Sequence, residues 1–134
     1  EDQAELPWYK AWGPWSYGVI LVNRSSLQIS TIKNIQKQIK KKERICIFPE
    51  GTVKGDGLKE GKKGVAYFAI KNGIPIIPTA VIGTKGILEK VKLMRRESVK
   101  VVFGSPIFTK SGDNIDDVTA KTMQEIKKLL PEDY

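Results

Sequence analysis

Four short apolar runs, Tyr17 to Asn23, Arg44 to Phe48, Pro75 to Ile82 and Ser98 to Gly104, alternate with stretches of helical spacing, and this alternation constrains the fold most. Tyr17 to Asn23 is continuous, apolar and rich in β-branched residues, as expected of a strand buried on both faces. Arg44 to Phe48 reads as a second buried strand and Pro75 to Ile82 as a third. Ser98 to Gly104 sets Val99, Val101 and Phe103 against Lys100 and Val102, the pattern of a strand nearer an edge.

Between the first two runs, Ser25 or Ser26 can cap a helix reaching Lys42. Ile29, Ile32, Ile35 or Gln36, and Ile39 share its apolar face, and Lys37, Lys40, Lys41 and Lys42 lie on the other. Gly64 to Lys71 predicts a short helix closed by Asn72-Gly73. A final helix begins near Ile115, capped by Asp113 or Asn114, and ends before Pro131. Lys85 to Glu97 has no clear period. The order predicts one α/β domain over residues 1–134, with a largely parallel (mixed) sheet covered by helices. The chain starts at Glu1 rather than Met, so it is expected to be part of something larger, with the N-terminal part of the domain missing.

With 40% apolar and 28% charged residues the chain has the makings of a folded core, which excludes a disordered tract. No uncharged stretch is longer than Asn72 to Thr84, which contains prolines and is too short to cross a bilayer. Cys46 is the single cysteine, so no intrachain disulfide can form; its apolar neighbours predict a small core side chain. The absence of histidine excludes the usual zinc sites and leaves carboxylates, hydroxyls, lysine, arginine and backbone for any chemistry. A net charge of +8 favours an anionic partner. The lysines are scattered and no nucleic-acid signature is present, so nucleic acid is not the expected partner. All three tryptophans, Trp8, Trp12 and Trp15, fall in the opening segment, as core or lid aromatics or as an interfacial belt.

Ligands of parallel sheets bind beyond the carboxyl ends of the strands, where Arg24 and Glu50-Gly51-Thr52 fall. Phe48-Pro49-Glu50-Gly51-Thr52 brings a carboxylate, a glycine and a hydroxyl to that edge, for a ligand site or simply for a turn. Lys54, Lys59, Lys62 and Lys63 surround several glycines before the helix at Gly64, a setting that suits phosphate but lacks the hydroxyl of a nucleoside-triphosphate loop. Arg24 can grip a phosphate through parallel hydrogen bonds, or serve only as a surface ion pair.

Taken together, Gly18-Val19-Ile20-Leu21-Val22-Asn23-Arg24, Phe48-Pro49-Glu50-Gly51-Thr52 and Ile74-Pro75-Ile76-Ile77-Pro78 resemble the second, third and fourth sequence blocks of the 1-acyl-sn-glycerol-3-phosphate acyltransferases. Gly61-Lys62-Lys63-Gly64 is similar to the family's Phe-Lys-x-Gly, and Val101 to Ile107 to its late Gly-x-Pro-Ile strand. The resemblance implies transfer of a fatty acyl group from a thioester of coenzyme A or acyl carrier protein to a lysophospholipid hydroxyl. It implies no metal and no cofactor beyond that co-substrate.

By the same resemblance, Arg24, Glu50, Gly51, Thr52, Lys54 and Lys62 would bind the acceptor, and Phe48, Pro49, Ile76 and Pro78 would shape the cleft. An anionic membrane surface is the implied partner, and the cytoplasmic face of a membrane the implied location. The family's His-x-x-x-x-Asp block, which supplies the general base, has no counterpart here and is expected upstream. A catalytically inactive lipid- or anion-binding module of the same fold is the alternative. Val53 stands where many members have arginine, and Gly61 where they have phenylalanine.

Overall fold

The computed structural model describes residues 29–51, 57–84 and 98–131. The expected strand Tyr17 to Asn23, the tryptophan-rich opening and Lys85 to Glu97 lie outside the described residues. The chain divides into two compact units, Glu1–Ile45 and Cys46–Tyr134.

In the first unit, α1 spans Ile29–Lys40 and buries Thr31 and Ile35. Its expected serine cap lies outside the described residues. The helix closes with Glu43 N donating to Gln38 O at 3.1 Å and Lys42 N to Ile39 O at 2.9 Å, with Lys42 at a left-handed φ of 61°. This paired closure usually employs glycine, because a Cβ crowds the backbone in that conformation.

The second unit contains α2 (Gly64–Asn72), β1 (Thr79–Ile82), β2 (Lys100–Phe103) and α3 (Ile115–Leu129). α2 ends through the same closure, with Gly73 at φ 60° and the Ile74 amide reaching Ala69 O at 3.1 Å. At the start of α3 the Asn114 carboxamide oxygen accepts from Asp116 N at 2.8 Å and Asp117 N at 3.4 Å. Asn114 is thus the cap, while Asp113 accepts from Lys110 N at 2.8 Å in the preceding turn. Acids in the first turn and lysines in the last complement the helix dipole.

β1 and β2 pair antiparallel, with Thr79 opposite Phe103 and Val81 opposite Val101. No parallel ladder is present among the described residues, so the largely parallel sheet finds no counterpart in the part described. Of the run Pro75 to Ile82 only the last four residues form regular strand, since Pro75 and Pro78 have no N–H to donate. Ile76 and Ile107 nevertheless exchange both backbone hydrogen bonds, at 2.9 and 2.8 Å. Between the Thr79–Phe103 and Ile76–Ile107 pairs the second strand carries one extra residue, a bulge next to Gly104.

Arg44 to Phe48, expected as a buried strand, has no regular secondary structure and joins no ladder among the described residues. With no strand beside it among the described residues its side chains stay open: Phe48 is 72% exposed, and Cys46, expected in the core, is exposed too. The core lies instead where α2 and α3 meet the hairpin. Ala66, Ala69, Ile76, Ile107 and Val118 are buried there, with Val65, Ile70, Ile74 and Ile115 packed around them. Thr109, also buried, donates to Ile74 O at 3.2 Å. The opposite side of the sheet leaves Ile77, Val81, Val99, Val101 and Phe103 exposed, so among the described residues the sheet is covered on one face. No helix of the described residues is long and apolar enough to cross a membrane.

The two closures give matched expectations. Lys42→Gly relieves left-handed strain and should stabilise the chain by about 1 kcal/mol, whereas Gly73→Ala should cost about the same. Denaturant midpoints measure both, and a Lys42→Gly midpoint at or below wild type would contradict the strain.

Candidate functional site

Residues Phe48 to Gly51 form a tight turn in which the Gly51 N–H donates to Phe48 O at 3.1 Å. Pro49 suits the second position because its ring presets φ and it has no donor to lose. Gly51 takes φ 63°, a left-handed conformation that glycine enters without steric cost.

Two contacts hold residues 57–62 to this turn. The Lys59 N–H donates to Glu50 Oε2 at 3.0 Å, and the Lys62 N–H donates to Pro49 O at 2.7 Å. The Lys62 side chain consequently crosses the open side of Gly51. A Cβ at Gly51 would stand 2.9 Å from Lys62 Cε and 3.0 Å from Nζ, so any larger residue displaces the lysine. Gly51 therefore serves both the turn and the approach of a cation.

The adjacent lysines have different tasks. Lys63 Nζ pairs with Asp116 Oδ1 at 2.6 Å, joining the starts of α2 and α3 at an exposed position. Lys62 has no ion-pair partner among the described residues, which leaves its ammonium available to an anion. Glu50 turns its carboxylate back onto this loop and grips the Lys59 amide.

α3 supports the loop from behind. A Cβ on Gly61 would lie 2.6 Å from Met123 Cγ, 2.7 Å from its sulfur and 3.3 Å from Thr119 Cγ2. The space that a phenylalanine side chain would need at this position is taken by Met123. On Gly64, by contrast, a Cβ would meet nothing within 4 Å.

Among the site residues expected from sequence, Phe48, Pro49, Glu50, Gly51 and Lys62 come together here. Arg24, Thr52 and Lys54 lie outside the described residues. Ile76 and Pro78 are buried, with Pro78 packed under Gly104, so what they shape they shape through the core. Sequence reasoning missed Met123, Thr119 and Asp116, which support the site from far along the chain. The one signal for Met123 was Gly61 itself, where the family pattern has a large ring.

The sequence matches the model of the family described as Acyltransferase over residues 3–82. It is 37% identical over 92 residues to the 1-acyl-sn-glycerol-3-phosphate acyltransferase of Salmonella typhimurium, covering 66% of this chain and 36% of that protein. It is 32% identical over 115 residues to the 1-acyl-sn-glycerol-3-phosphate acyltransferase of Cocos nucifera, covering 78% and 36%. With the chloroplastic 1-acyl-sn-glycerol-3-phosphate acyltransferase BAT2 of Brassica napus it shares 28% over 124 residues, covering 89% and 36%. The chain thus spans about a third of the length of these relatives. No solved structure matches it.

The packing behind the loop predicts a compensating pair. Gly61→Ala should destabilise the chain by roughly 2 kcal/mol through overpacking, and adding Met123→Ala should recover more than half of that loss. Strictly additive effects in the double-mutant cycle would refute the contact. Glu50→Ala should speed hydrogen exchange at the Lys59 amide several-fold, while Glu50→Gln, which keeps an acceptor oxygen, should leave it closer to wild type.

Proposed function

The chain belongs to the acyltransferase family, and from that premise we propose that it forms the acceptor-binding part of an enzyme acylating 1-acyl-glycerol-3-phosphate to phosphatidic acid. The observation that carries this reading is the Lys62 ammonium, drawn across Gly51 and lacking an ion-pair partner among the described residues. A phosphomonoester fits such a site because a charge-assisted hydrogen bond to an anion is about twice as strong as a neutral one.

In the proposed reaction the acceptor hydroxyl oxygen attacks the carbonyl of an acyl thioester of coenzyme A or acyl carrier protein. Its proton passes to a general base, and the thiol group leaves as the new ester forms. Lys62, with Thr52 and Lys54, is assigned the phosphate, held so that the hydroxyl faces the thioester, and Arg24 is proposed as a further acceptor-binding residue. Glu50 acts as a positioning residue through the Lys59 amide. The 134 residues contain no histidine, so the base is assigned to sequence outside them. The lipid acceptor places the enzyme at a membrane, with the site on the cytoplasmic face.

A second reading, an inactive anion- or lipid-binding module, is favoured by the same lack of histidine. Acylation assays separate the two. The gene product, given lysophosphatidic acid and an acyl thioester, should release phosphatidic acid, whereas acceptor binding without turnover would establish the module.

Two substitutions address the residues. Arg24→Ala should weaken use of the acceptor by roughly 2 kcal/mol, and Lys62→Gln should raise its KM about tenfold with a smaller change in kcat. Unchanged acceptor kinetics in both variants would remove the phosphate site from this turn.

A further inference from the structure

Nothing in the acceptor site accounts for the cationic face of α1. Lys33, Gln36, Lys37, Lys40 and Lys41 line one open groove along this helix. Lys33, Lys37 and Lys41 recur every four residues, about 6 Å apart along the axis, where like charges repel. α1 contains no acidic residue, and none of these lysines has an ion-pair partner among the described residues. The helix dipole explains cations at the C-terminal end, but it does not explain Lys33 in the second turn. Lys42 adds another cation where glycine would relieve strain.

We infer that this face of α1 is an electrostatic docking surface for an anionic lipid bilayer. The inference rests on the lipid-acceptor reading and names the surface through which the membrane is met. A protein partner fits the groove poorly. Protein interfaces are depleted in lysine and centre on buried aromatic or apolar anchors, and the centre of this groove offers only lysines and a glutamine. A headgroup layer needs no anchor, because each lysine near an anionic surface contributes independently. The buried Thr31 and Ile35 keep the apolar side of α1 from inserting. Ile29, 71% exposed and one turn before Lys33, is the single side chain of that row suited to dip among headgroups.

The experiment is co-sedimentation of the chain with vesicles of phosphatidylcholine, alone or mixed with phosphatidylglycerol, at low and high salt. Wild type should bind the mixed vesicles, bind neutral ones far less, and be released by salt. At roughly fivefold per lysine, Lys33→Gln/Lys37→Gln/Lys41→Gln should lower the partition coefficient on the order of 100-fold. These side chains are exposed and glutamine favours helix, so circular dichroism should be unchanged. A control with equal charge loss, Lys110→Gln/Lys127→Gln/Lys128→Gln, should retain most binding.

Equal losses in the two triple variants would overturn the inference in favour of net charge. Equal wild-type binding to neutral and mixed vesicles, or tighter α1-dependent binding to duplex DNA, would also overturn it. Failure of the acceptor reading looks different: vesicle binding persists while acylation of a detergent-dispersed acceptor is absent.

Discussion

Two backbone amides, those of Lys59 and Lys62, decide where the candidate site is. Each is donated to the Phe48–Gly51 turn, one to a carboxylate and one to a carbonyl, and together they turn an irregular stretch into a fixed platform. Without them the lysine would be one more solvated cation on a chain already rich in them. With them, its stem is confined to the space that a missing Cβ leaves open. The carboxylate in this acidic Gly-Thr motif holds the loop that carries the lysines.

The platform depends in turn on the core of the second unit. α2 and α3 pack on the hairpin through small residues, Ala66 and Ala69, which let the elements approach closely. That approach brings Met123 against Gly61 and Asp116 within reach of Lys63. The site is thus assembled from local turn chemistry at its front and long-range packing at its back.

This division explains what could be read from sequence. Gly64–Asn72 and Ile115–Leu129 were legible because periodicity, Asn114 and Gly73 are local signals, and the Phe48–Gly51 turn because proline and glycine have narrow backbone preferences. Strand partners were not legible. An apolar run carries no label for its neighbour, so Arg44 to Phe48 looked like core although Cys46 and Phe48 are exposed. The support from Met123 was hidden for the same reason, since its contact spans about half the chain and leaves only a glycine as its trace.

The extra residue beside Gly104 changes the parity of the second strand. In a regular ladder every residue has an odd or even address, and all of one kind face the same way. Phe103 points outward, and strict alternation would send Ile107 outward as well. By counting one position twice, the chain restores Ile107 to the interior and leaves Phe108 outside. Flattening the bulge with every residue kept would therefore act as a frameshift in three dimensions, turning Ile107 outward and Phe108 into the core, whereas deleting one residue here would regularise the ladder and leave Ile107 inside.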